Sequence, residues 1–198
     1  MSNLEIKGAL AKLLATENLI VQHDSNAETA SFNTATRILT LPLLNIDDPH
    51  VYDMFIGHEV GHALWTPTDW AEQVDSTIPF DFVNVIEDVR IERMIQDKFP
   101  GLRSDFSKGY NTLNNRDFFA IADKDLKKLN FIDRINLHFK LGDLALIPFT
   151  NEELVYVRAV EDADSFDKVC LVSKMIADFV NAKAKQDDDG EEQVEAQS

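Results

Sequence analysis

The chain has 198 residues, of which 44% are hydrophobic, so it is long enough to bury one core, or one domain followed by a tail. Its net charge of −16 at pH 7 would repel nucleic acid and anionic membrane surfaces, and no apolar run approaches the roughly 20 residues of a membrane span. A single cysteine, Cys170, excludes an internal disulfide and, with an N-terminus unlike a secretory signal, predicts a cytoplasmic protein.

The N-terminal part of the chain predicts one helix and then a small sheet. Apolar residues at helical spacing predict a helix over 3–16. A short β-rich run follows at 19–23, and two more runs, 29–33 and 36–41, flank Thr34-Ala35. We interpret these runs as a small antiparallel sheet with a tight turn. An exposed edge strand of that sheet would bind an extended peptide, although the sequence does not tell which strand is the edge.

The next segment contains the motif His58-Glu59-Val60-Gly61-His62, the His-Glu-x-x-His signature of zinc peptidases. Residues four apart on a helix share one face, so His58 and His62 would direct two imidazoles at one metal ion. A catalytic zinc usually has three protein ligands and one water, and Glu59 is placed to take a proton from that water. The motif therefore indicates hydrolysis of an amide bond assisted by Zn²⁺.

The motif lies between a helix start signal and a helix stop signal. Asp47-Asp48-Pro49 offers an N-cap carboxylate and a proline at the first helical position, and Thr66-Pro67 ends the run. Five-residue matches of this kind also occur by chance, so the alternative is a buried helix whose histidines bond to carbonyls of the core.

A second strong helix is predicted from Phe80 to about Phe99, before Pro100-Gly101. Glu87 falls between two apolar patches, where a carboxylate is costly unless it is paired or bound to a metal, so we predict that Glu87 is the third ligand. Asp88 is the next candidate for the third ligand, although the preferred role for it is an outer partner that accepts a ring N–H from a ligand histidine. Arg90 pairs with a carboxylate or polarises a substrate carbonyl. The alternative for these charges is a solvated helix face.

The C-terminal half predicts further helices at 102–119 and 131–146, from Thr150, and at 165–185. Tyr110 and His138 are weak candidates for contact with a transition state, and a core or surface role is the simpler interpretation of both. Beyond Gln186 the chain is polar and acidic. We therefore expect one domain over 1–186 and a disordered acidic tail, or the start of a linker, over 187–198.

Two motifs together, 58–67 and 84–92, resemble those of zinc metallopeptidases of bacteria and their phages that occur joined to a von Willebrand A-type domain. The pattern is similar more distantly to cobalt-chelatase-associated proteins, and it is gluzincin-like. The resemblance is specific over residues 50–95. Together with the composition and the runs described above, it predicts a mostly α-helical α+β fold, zincin-like, with a small antiparallel sheet before the motif helix. It also implies His58, His62 and Glu87 as zinc ligands and Glu59 as the catalytic base.

The same resemblance bears on partners and location. In such proteins an acidic linker separates the peptidase part from the A-type domain, and residues 187–192 look like the start of one. We expect a truncated chain or a stand-alone peptidase part, with an A-type domain as a partner, in the host cytoplasm if a phage encodes it.

Three functions follow from these patterns. The first is a zinc endopeptidase acting on a protein or peptide substrate. The second is a zinc-containing binding or assembly module without turnover, partnered with an A-type domain. The third is a metal-free helical protein.

Overall fold

The computed structural model describes residues 20–27, 30–42 and 48–195, and the helix predicted at 3–16 lies outside them. The fold is mostly helical with a small three-stranded sheet, in agreement with the predicted α+β class. The strands are β1 (Ile20–Asp24), β2 (Ser31–Asn33) and β3 (Ile38–Pro42). The helices are α1 (Pro49–Trp65), α2 (Trp70–Gln73), α3 (Phe80–Lys98), α4 (Leu102–Asn115), α5 (Phe131–Leu141), α6 (Glu153–Glu161) and α7 (Phe166–Glu195).

The sheet is mixed, so the prediction of a purely antiparallel sheet is wrong for one of its two strand pairs. β3 is the central strand, with β2 antiparallel to it on one side and β1 parallel to it on the other. Alternation of apolar residues marks a strand but carries no information on its direction, which is why the sequence missed this. Within the described sheet, β2 and β1 are the edge strands.

The turn between β2 and β3 has four residues, Thr34–Arg37, instead of the predicted two. The Asn33 side chain accepts backbone N–H bonds from Ala35 (3.1 Å) and Thr36 (2.9 Å), and Arg37 has a φ of 57°. The Arg37 guanidinium donates to the carbonyl of Ala63 in α1 at 2.8 Å, which fixes the hairpin against the motif helix.

Helix α1 begins and ends where the sequence predicts. The Asp48 carboxylate accepts the N–H of His50 at 2.9 Å, and Pro49 occupies the first turn. Thr66 is extended before Pro67, and its N–H still bonds to the His62 carbonyl at 3.0 Å. Most of α1 is buried, and it packs against β2, α3 and α4.

Two hydrophobic clusters meet along α1 and α3. The first cluster joins the sheet, α1 and α4 with one side of α5, and the second joins α3, α6 and α7 with the other side of α5. The side chains of Val83, Ile86 and Val89 place α3 in the second cluster, while Ile95 belongs to the first. The motif helix and the helix predicted to supply the third ligand therefore lie side by side at the junction.

Three helix ends differ from their predictions. α4 ends at Asn115 rather than 119, and α5 ends at Leu141, before Gly142 with its φ of 51°. α7 continues to Glu195, through most of the acidic segment expected to be disordered. That segment contains no proline, and Asp, Glu and Gln are tolerated in a helix. Among the described helices, none is both long and apolar enough to cross a membrane.

The contact between α1 and α4 requires a glycine at position 109. A Cβ there would lie 2.8 Å from the Met54 sulfur and 3.2 Å from the His50 carbonyl oxygen. Gly109→Val should therefore lower the free energy of unfolding by about 1–3 kcal/mol, the usual cost of overpacking. Urea denaturation measures this, with Gly101→Val as the control, because a Cβ at Gly101 meets nothing within 4 Å. Equal stabilities of the two variants would contradict the close approach.

Candidate metal centre

The fold brings His58 and His62 of α1 together with Asp88 of α3. The Asp88 Oδ1 atom lies 3.2 Å from His62 Nε2 and 3.6 Å from His58 Nε2. One potential ligand atom from each of the three residues lies within 4.8 Å of the others. The two imidazoles thus share one face of α1, as their spacing predicts, and the Nε2 atom of each approaches the same carboxylate oxygen.

These three side chains line a cleft of about 290 Å³. Glu59 and Glu87 lie in the same lining, and edge strand β2 contributes Ser31 and Phe32. An apolar part of the wall is formed by three side chains from different elements: Trp70, Val83 and Phe166. The cleft therefore joins the candidate metal ligands to a sheet edge and an apolar surface.

Each histidine is oriented by a hydrogen bond at its other ring nitrogen. His58 Nδ1 lies 2.9 Å from Glu92 Oε1, and His62 Nδ1 lies 2.9 Å from the Thr66 hydroxyl. The Thr66 hydroxyl in turn donates to Glu87 Oε1 at 2.5 Å. Carboxylates only accept, so Nδ1 of His58 donates to Glu92, and Nδ1 of His62 donates to the Thr66 oxygen, whose own proton goes to Glu87. The Nε2 atoms, which face Asp88, are the ones that a metal would bind in place of a proton.

Glu87, the predicted third ligand, is occupied elsewhere. Glu87 is 3% exposed, and its carboxylate accepts from Arg90 Nη2 (2.6 Å) and Nε (2.7 Å) and from the Thr66 hydroxyl. Asp88, predicted as an outer partner, is the carboxylate that stands against the imidazoles. Adjacent helical residues point about 100° apart, and the sequence does not show which of them turns toward α1. Glu87 as a ligand stays a prediction that this geometry does not favour.

Glu59 lies in the cleft wall with its carboxylate buried. Burial raises the pKa of this carboxyl, although the two neighbouring histidines oppose the shift, and the N–H of Phe32 in β2 donates to it. A raised pKa suits a group that must take up a proton near neutral pH.

The buried charges of the site shift one another strongly. Burial opposes protonation of His58, but the carboxylates of Asp88 and Glu92 prevail and raise its pKa to about 9. Burial also opposes ionisation of Asp88, yet His58 and Lys140 hold its pKa well below the usual range. The Glu92 pKa is lowered against burial, chiefly by Lys140.

Sequence reasoning missed three partners of the site: Thr66, Glu92 and Lys140. Glu92 follows Asp88 by four residues on α3, so the spacing already indicated that the two carboxylates lie on the same face of the helix. Lys140 lies 52 residues from Asp88 in the chain, and no local pattern predicts their contact. The Tyr110 hydroxyl donates to Glu92 Oε1 at 2.5 Å, and neither it nor His138 lines the cleft, so their suggested transition-state contacts have no support.

The metal-free protein should lose stability as the pH rises. The His58 pKa is raised from 6.5 to about 9 on folding, so its contribution is complete below about pH 6.5 and is lost as pH rises through 9. We expect the urea concentration at the unfolding midpoint, measured in the presence of a chelator, to decrease as the pH is raised from about 6.5 to 9. His58→Gln should remove that part of the fall, and an unchanged pH profile in the variant would contradict the assignment.

Comparisons with protein-family models, curated proteins and solved structures give no match to this chain. The resemblance to zinc metallopeptidases therefore stays a prediction from the two motifs.

Proposed function

We propose that the chain is a zinc-dependent peptidase with a zincin-like fold, in which His58, His62 and Asp88 hold the metal. The observation that carries this proposal is the approach of two Nε2 atoms to one carboxylate oxygen in an open cleft. Two imidazoles and one carboxylate are a donor set that zinc accepts, and three protein ligands leave a position for water.

The charge of the site supports a divalent cation. Three buried carboxylates lie around the imidazoles: Glu59, Asp88 and Glu92. The Lys140 ammonium contacts two of these carboxylates, Asp88 and Glu92. Glu87 is paired with Arg90, so it adds no net charge. With neutral histidines the group carries two excess negative charges, which are costly to bury. A dication balances them, whereas the metal-free protein compensates in part by protonating His58.

The chemistry then divides between the metal and Glu59. A bound zinc ion supplies the Lewis acidity that brings the pKa of a water close to neutrality. Glu59, whose pKa is raised by burial, would be the general base toward that water and the proton donor to the leaving amine. The Nδ1–H bonds to Glu92 and Thr66 keep both imidazoles oriented throughout.

The substrate class follows from the wall of the cleft. β2 is an edge strand of the described sheet, and it lines the cleft beside Glu59. The Phe32 N–H of this edge donates to Glu59, so an extended peptide would pair with the part of the edge that remains. It could place one side chain toward Trp70, Val83 and Phe166. We therefore infer a peptide or protein substrate with an apolar residue near the scissile bond.

The test combines elemental analysis with digestion of an unbiased peptide library. We expect about one zinc per chain after dialysis against metal-free buffer. We also expect cleavage that stops with a chelator and returns with zinc. Zinc well below one per chain would contradict the metal centre. Bound zinc without cleavage of any peptide would instead support a binding module without turnover.

A further inference from the structure

Lys140 reaches the candidate metal centre from α5, and it is not one of the residues that line the cleft. Its side chain is 12% exposed, and its ammonium contacts three oxygen atoms. They are Glu92 Oε1 at 2.9 Å, Tyr110 Oη at 3.0 Å and Asp88 Oδ2 at 3.3 Å. An ammonium has three N–H donors, so each donor has one partner. No N–H is left over for another contact.

The contact with Asp88 divides the roles of its two carboxylate oxygens. Oδ1 faces the Nε2 atoms of His58 and His62, while Oδ2 receives the Lys140 ammonium. A carboxylate held in this way offers one oxygen to a metal between the histidines. Without the ammonium, rotation about the last side-chain bond would let both oxygens bind.

The contact with Glu92 acts on His58. Glu92 Oε1 accepts three donors: the His58 ring N–H, the Tyr110 hydroxyl and the Lys140 ammonium. Because the Tyr110 hydroxyl donates to Glu92, its oxygen remains to accept from Lys140, and the three groups form a closed ring of bonds. Lys140 thus holds the acceptor that fixes the His58 ring.

We propose that Lys140 is a positioning residue for the metal, which restricts Asp88 to one-oxygen coordination and keeps Glu92 aimed at His58. The inference rests on the proposed metal site and adds to it a residue outside the two sequence motifs. It assigns Lys140 no contact with substrate.

The test compares Lys140→Met with wild type by metal titration. We expect zinc affinity to fall about 10- to 100-fold, the usual effect of losing an outer partner of a ligand. We also expect the visible absorption bands of the Co²⁺-loaded protein to weaken, because binding by both Asp88 oxygens raises the coordination number. A purely structural role would leave the cobalt spectrum unchanged. Lys168→Met is the matched control, since Lys168 is an exposed lysine paired only with Asp164 among the described ion pairs.

A second pair of variants separates positioning from folding. Lys140→Met with Glu92→Gln removes one positive and one negative charge together, so the double variant leaves the net charge of the cluster unchanged. It should fold and still show the altered cobalt spectrum. Tyr110→Phe keeps the Lys140 contact with Asp88 and should keep the wild-type spectrum. Wild-type affinity and spectrum in Lys140→Met would overturn the positioning role alone. A wild-type protein that binds neither zinc nor cobalt would overturn the proposed function and this role with it.

Discussion

Glu59→Gln should abolish peptide cleavage while the protein keeps its zinc. A general base contributes about 10²- to 10⁴-fold to a rate, and glutamine cannot take up the proton. The fold should survive, because the amide oxygen can still accept the N–H of Phe32 in β2. The measurement is the initial rate on a library-selected peptide, together with the zinc content of the same preparation.

The control for this variant is Glu72→Gln, which makes the same change at an exposed position on α2. Its rate and zinc content should equal those of wild type. If Glu59→Gln cut the peptide as fast as wild type, Glu59 would not be the base. If Glu59→Gln lost both cleavage and bound zinc, the Glu59 carboxylate would have a role in metal binding that the geometry does not assign to it.

Asp88→Asn should lower zinc affinity more than any change at Glu87. Loss of an outer partner lowers metal affinity by up to about 100-fold, and loss of a direct ligand should lower it further. Glu87 is an outer partner in this geometry, because it reaches His62 only through the Thr66 hydroxyl. Breaking the buried pair of Glu87 and Arg90 would also cost about 3–5 kcal/mol of stability. The matched variant is therefore Glu87→Gln with Arg90→Met, which leaves no unpaired charge.

Zinc affinity of both variants is measured by competition with a chromophoric chelator, after circular dichroism shows that each is folded. We expect the Glu87 variant to lose about 10- to 100-fold. The reverse order, with Glu87 the more sensitive position, would restore Glu87 as the third ligand and leave Asp88 as its outer partner.

The sequence predicted most of what is local in this protein. The helix that carries His58 and His62 is specified by its own cap at Asp48 and its end before Pro67. Spacing alone then places both imidazoles on one face. The mostly helical class and the helix at 80–98 follow from composition and periodicity in the same way.

The sequence could not predict what depends on how helices pack. Glu87 and Asp88 are neighbours, and only the docking of α3 against α1 selects Asp88 for the histidines. The direction of β1 depends on its pairing with β3, and the contact of Lys140 with Asp88 joins two distant helices. Each of these contacts is set by tertiary packing, for which a single sequence carries no periodic signal.

The position of the site at the junction of the two hydrophobic clusters has a consequence for the whole chain. His58 and His62 belong to α1 in the first cluster, and Asp88 belongs to α3, which packs into the second. A zinc ion bound to all three would act as a crosslink between the halves of the molecule. Chelation should therefore speed hydrogen exchange and proteolysis first along this seam.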